Sequence, residues 1–63
     1  MNEEEKLDLF KRMIEKKKKH GLTYKTISEI YGLQQHGFYE LKRFVQRKAS
    51  EGNPLANDLL NKL

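Results

Sequence analysis

Apolar residues recur along this chain with the spacing of a helix and nowhere with that of a strand. Leu7, Phe10, Met13 and Ile14 follow the i, i+3, i+4, i+7 pattern of one helical face. No segment alternates with period two for more than a few residues, so every predicted element is a helix. The first is predicted from about Glu3 to Lys19 or His20. Asn2 precedes it as an N-cap, and Glu3, Glu4 and Glu5 stand where a helix N-terminus favours negative charge. Lys16 to Lys19 stand at the other end, where the helix dipole favours cations, and Gly21 is placed for a C-cap.

A second, short helix is predicted from Tyr24 to Tyr31, with Thr23 as its N-cap. Leu22 and Ile27 fit a hydrophobic staple around that cap. Gly32 stops this helix, and Leu33 and Gln34 lead into a third, predicted from Gln35 to Ser50. Its apolar face is Phe38, Leu41, Phe44 and Val45. Gly52, Asn53 and Pro54 read in order as a C-cap, an N-cap and a first helical residue. A last helix is expected from Pro54 towards Leu63, with Leu55, Leu59, Leu60 and Leu63 on one side.

The chain has 63 residues, enough for one domain with one small core. A chain this short buries only about 60% of the surface its unfolded form exposes. It has no cysteine, so disulfides and cysteine-zinc sites are excluded. Its apolar runs are too short for a membrane span, and its N-terminal stretch is acidic without an apolar run, so no secretory signal is expected. These features fit a reducing, cytoplasmic setting. Charge is distributed unevenly. Residues 9–48 hold eleven Lys and Arg against three acids, a net of +8, within a chain whose total is +4. A basic block of that size points to a polyanion, nucleic acid first.

Residues 24–43 resemble the helix-turn-helix unit of bacterial and phage DNA-binding proteins. The resemblance rests on Gly32 in the turn, on Ser28 where two helices cross closely, and on Ile27, Tyr31, Leu33, Phe38 and Leu41 as the apolar set between them. Physical chemistry makes the same demands: a glycine where the chain turns with positive φ, and a small side chain where helices approach. The resemblance implies an all-α fold, a tri-helical helix-turn-helix domain with a short fourth C-terminal helix. Small phage- or plasmid-type repressors are the nearest analogy. Tyr24 departs from the glutamine common there, and no fifth helix is present, so the subgroup is open.

The resemblance further implies that the third helix, 35–50, enters the major groove of double-stranded DNA. A turn of about 100° per residue then points His36, Tyr39, Glu40, Arg43 and Arg47 outward. Gln34 and Gln35 stand where such proteins touch base edges. A glutamine amide can pair with adenine, and Arg43 with guanine. His36 and Tyr39 complete the expected base-contacting set. Tyr39 would donate to a phosphate or pack on a thymine methyl, and Glu40 is expected to pair with His36 or Arg43. Phosphate contacts are expected from Thr23, Tyr24, Lys25, Lys42, Arg47 and Lys48. Gly37 inside the third helix is unfavourable by about 1 kcal/mol relative to alanine, and a close backbone approach would explain it.

Other chemistry has little support. His20 and His36 lack ligand-spaced partners, the serines lack a base, and no glycine-rich phosphate loop is present, so neither an enzyme nor a cofactor is expected. A different class of function uses the same basic surface to grip an acidic protein partner, although such a face should carry more aromatics than Tyr39. Because one recognition helix reads few base pairs, a homodimer is expected, with Leu60 and Leu63 of the last helix at its interface.

Overall fold

The computed structural model of the chain describes every residue except Gln35. Four helices are present among the described residues, with no strand: α1 (Glu3–His20), α2 (Tyr24–Ile30), α3 (Gly37–Ser50) and α4 (Pro54–Asn61). Three of them begin on a capping side chain, as expected. Asn2 Oδ1 accepts from the Glu5 N–H at 2.8 Å, Thr23 Oγ1 from Thr26 at 3.1 Å, and Asn53 Oδ1 from Ala56 at 3.0 Å. Each such cap stabilises its helix by about 1 kcal/mol.

The start of α3 is different. His36 precedes it and makes no side-chain cap. A residue of α2 supplies the acceptor instead: Ser28 Oγ accepts the Phe38 N–H at 3.1 Å and donates to the Tyr24 carbonyl at 2.9 Å. One buried hydroxyl thus caps α3 from outside and anchors that cap to α2.

The chain between these helices turns at Gly32, whose φ of 70° lies in the left-handed region. The Leu33 N–H then returns to the Ser28 carbonyl at 2.9 Å, which closes the end of α2. The third helix begins at Gly37, two residues later than expected. Gln34 is in the turn, and its carbonyl accepts the Gly37 N–H at 2.8 Å. Gly37 is therefore the first residue of its helix rather than an interior one. A Cβ there would stand 2.5 Å from Leu33 Cβ, so the close approach that requires glycine is to the turn.

Helices α1 and α3 each contact the other three, whereas α2 and α4 do not meet. The core combines Leu7, Phe10, Met13 and Ile14 of α1, Ile27 of α2, Phe38, Leu41, Phe44 and Val45 of α3, and Ala56 and Leu59 of α4. Tyr31 and Leu33 pack at its edge. The last helix corrects the expectation of a leucine stripe. Ala56, not Leu55, joins Leu59 inside. Leu60 is half-buried against the core, while Leu55 and Leu63 remain 46% and 42% exposed. The helix also ends at Asn61, short of Leu63. Among the described residues no helix is long and apolar enough to cross a membrane.

Ser28→Ala is expected to lower stability by about 1–3 kcal/mol, because it leaves the buried Phe38 N–H without an acceptor. Phe38→Ala is expected to cost about 3–5 kcal/mol. A domain this size holds roughly 3–9 kcal/mol in all, at about 0.05–0.15 kcal/mol per residue, so the second change leaves little folded protein. Urea unfolding followed by circular dichroism measures both; equal and negligible losses would refute the assigned roles.

Candidate nucleic-acid interface

The ion pairs of the described residues lie away from the exposed face of α3. Asp8 holds Arg12 at 2.8 Å on α1, and Lys48 holds Glu3 at 2.6 Å and Glu51 at 3.3 Å. Lys17, Lys25, Lys42, Arg43 and Arg47 have no carboxylate within ion-pair distance among the described residues. Lys17, Lys25, Lys42 and Arg43 line neighbouring hollows with the Glu40 carboxylate among them, so the net charge on this side of the molecule is positive.

Two shallow hollows lie on that side. The first, about 460 Å³, runs along α3 and is lined by His36, Tyr39, Glu40, Lys42, Arg43 and Gln46. The second, about 590 Å³, lies where the end of α1 meets the starts of α2 and α3. Its lining is Lys17, Thr23, Tyr24, Lys25, His36 and Tyr39. His36 and Tyr39 belong to both and form the ridge between them.

An aromatic column positions this ridge. Phe10 in the core lies 5.3 Å from Phe38, and Tyr24 stacks on Phe38 at 4.5 Å with an interplanar angle of 14°. Tyr39 then meets Tyr24 edge-on at 5.0 Å. Lys17 Nζ sits 4.6 Å from the Tyr24 ring centroid and Lys42 Nζ 5.9 Å, so the ring also holds two cations near the hollows.

Several expected contacts are placed here and several are not. His36, Tyr39, Arg43 and Lys25 are exposed and line the hollows, with Lys42 half-buried beside them. Arg47 is exposed on the opposite flank, its guanidinium 5.7 Å from the Phe44 ring centroid. Tyr24 is chiefly a packing residue, and the Thr23 hydroxyl is committed to its cap. Gln34 is not brought to this face. It lies in the turn and lines a separate groove with Leu9, Leu33, Gly37 and Phe44. Gln35 lies outside the described residues. The expected pairing of Glu40 with His36 or Arg43 is not formed, as solvated partners gain little from it.

Lys48 is also placed elsewhere. Its side chain is only 17% exposed and ties the end of α3 to Glu3 at the start of α1. Gln46 joins the site from outside the expected contact set, and of Lys16 to Lys19, which could reach a neighbouring phosphate besides facing the helix dipole, Lys17 lines it. Lys17 continues the stripe Phe10, Met13, Ile14 by one more turn, which is the signal that sets it apart from its lysine neighbours. The chain matches no family model, no curated protein and no solved structure.

The hydrogen bond from Lys48, and then its charge, hold the Glu3 carboxyl below its usual range. The same bond to Glu3, followed by one to Glu51, raises Lys48. A depressed carboxyl stabilises the fold above its unfolded pKa and loses that contribution as pH falls through its lowered folded value. A raised lysine contributes at neutral pH and loses its part only in strong alkali. Melting curves of the wild type and Glu3→Gln should therefore differ slightly near about pH 7 and converge towards about pH 3. A difference that grows on acidification would contradict the assigned pair.

Proposed function

We propose that this chain is a sequence-specific double-stranded DNA-binding protein, a small transcriptional regulator of phage or mobile-element type, in which α2, the turn through Gly32 and α3 act as a helix-turn-helix. The observation that carries this reading is the set of unneutralised cations around the exposed face of a helix whose start is tied to its neighbour. Salt-bridged lysines and arginines would only solubilise a surface; unpaired ones flanking a rigid helix suit a phosphate backbone. With 14 residues, α3 is about 21 Å long, sufficient to lie in a major groove about 12 Å wide.

In this reading Arg43 and Gln46 face base edges, as guanine- and adenine-reading side chains. Lys17, Lys25 and Lys42 grip one strand from the α2 side, and Arg47 grips from the other flank. Gln34 and Lys48 drop out of the contact set because of where they lie. The alternative, an acidic protein partner, gains nothing from this face. Tyr39 is its one well-exposed aromatic, and protein-binding hot spots gather several.

Pairing of two copies belongs to the DNA-bound state. A stable interface takes about 800 Å² from each partner, close to a fifth of the 4390 Å² surface of this chain. Leu55 and Leu63 are the exposed apolar residues of the last helix region, and Asn57, Asp58 and Asn61 make the rest of α4's outer face polar. Leu60 is better placed in the monomer core than at an interface.

Selection of bound fragments from a random duplex pool tests the function directly; enrichment of a short sequence supports it and failure to enrich refutes it. On the selected duplex, Arg43→Ala should cost about 1–3 kcal/mol and relax preference at one base pair. Lys25→Ala should weaken all sequences alike and reduce the salt slope by about one. Sedimentation equilibrium at micromolar protein should give a monomer without DNA, and a free dimer would contradict the small apolar area of α4.

A further inference from the structure

We propose that Tyr39 is the residue by which the protein recognises a thymine, packing its ring against the 5-methyl group in the major groove. The inference rests on the DNA-binding reading above and extends it from the nucleic acid to one base.

The first ground is rigidity. Tyr39 is 46% exposed, yet its ring is held edge-on by Tyr24 at 5.0 Å and by Phe38 at 6.5 Å. Tyr24 is itself clamped between the Phe38 ring and the Lys17 ammonium. A continuous run of rings therefore connects the core to the surface at this one point. Along the same hollow, Glu40, Lys42, Arg43 and Gln46 are long and lose rotamer freedom when they bind. A ring already fixed in place loses much less, which is how rigid aromatics become recognition anchors.

Position is the second ground. Tyr39 stands on the ridge between the hollow lined by Lys17 and Lys25 and the hollow lined by Arg43 and Gln46. The first suits a backbone phosphate and the second a base edge. In the major groove the 5-methyl of thymine is the base group nearest its own strand's backbone. A side chain between a phosphate grip and a base-reading surface meets that group first. The chemistry agrees, since the methyl is the apolar feature of the major groove and an aromatic ring is its apolar complement.

The test uses the duplex recovered by selection, with each thymine replaced singly by deoxyuridine, a change that removes only the methyl. Wild-type protein should lose about four-fold in affinity at one position, the value of one buried methyl. Tyr39→Phe, which keeps the ring, should show the same loss. Tyr39→Ala should bind the two duplexes equally. Equal wild-type affinity for thymine and uracil at every position would overturn the proposal, as would discrimination that survives in Tyr39→Ala. A uniform loss in Tyr39→Phe on every duplex would overturn it too, because the hydroxyl would then be gripping a phosphate. The wild-type comparison needs no variant, so a folding defect in Tyr39→Ala leaves the proposal open to refutation. Should no duplex be enriched, the DNA-binding reading itself fails; enrichment without methyl sensitivity removes the thymine assignment alone.

Discussion

A single buried hydroxyl sets the geometry on which the exposed face depends. Ser28 Oγ accepts the Phe38 N–H that the first turn of α3 cannot satisfy internally, and it donates back to the Tyr24 carbonyl. A helix usually takes its cap from the residue just before it; here the cap comes from the helix across the turn. The start of α3 and its crossing with α2 are therefore set by the same bond. Phe38, the residue whose N–H is held, places its ring in the core against Phe10 and Tyr24. Backbone satisfaction and side-chain packing reinforce each other at that point. Among the described residues no buried side-chain polar atom lacks a partner, so the fold accommodates this polar contact without leaving another group unsatisfied.

The aromatic rings also explain how a chain that is 35% charged arranges so many cations around so small a core. Lys17 and Lys42 lie over Tyr24, while Lys6, Arg47 and Lys48 surround Phe44. The charged ends themselves lie over the ring faces, at 4.6 to 5.9 Å from the centroids. The carboxylates that form ion pairs lie elsewhere, at Glu3, Asp8 and Glu51. The result is a division of the surface. Lys48 and its acids tie the start of α1 to the end of α3, and the cations of the α2–α3 side form no ion pair among the described residues.

Much of the candidate site was legible along the chain, and its gaps have physical reasons. Helical phase was enough to place Tyr39 and Arg43 outward, because a helix fixes direction by residue number. It could not place Gln34, because that residue belongs to a turn, where phase is undefined. Lys48 falls on the inner side of α3 in that same phase, but one of its two acid partners, Glu3, comes from α1. Lys17 continues the apolar stripe of α1, but only the packing of Tyr24 on Phe38 gives it a ring to lie over. Tyr24 stands where the resembling proteins commonly carry glutamine. In this fold it is a packing residue that carries order from the core out to Tyr39.

By itself the sequence determined the number of helices, the ends closed by Asn2, Thr23, Asn53 and Gly21, the turn at Gly32, and most of the core-facing residues. Those features depend on near neighbours: a side-chain oxygen three residues before an N–H, a glycine with positive φ, an apolar stripe with helical period. Tertiary structure decided where α3 starts, which residues of α4 enter the core, and which cations remain free. Each of those depends on groups far apart in the chain. The acceptor for Phe38 is ten residues away in another helix, one acid partner of Lys48 is near the N-terminus in α1, and Ala56 is buried in a helix that packs on α1 and α3. Local rules can propose a helix beginning at residue 35; a hydroxyl on the facing helix is what makes it begin at Gly37.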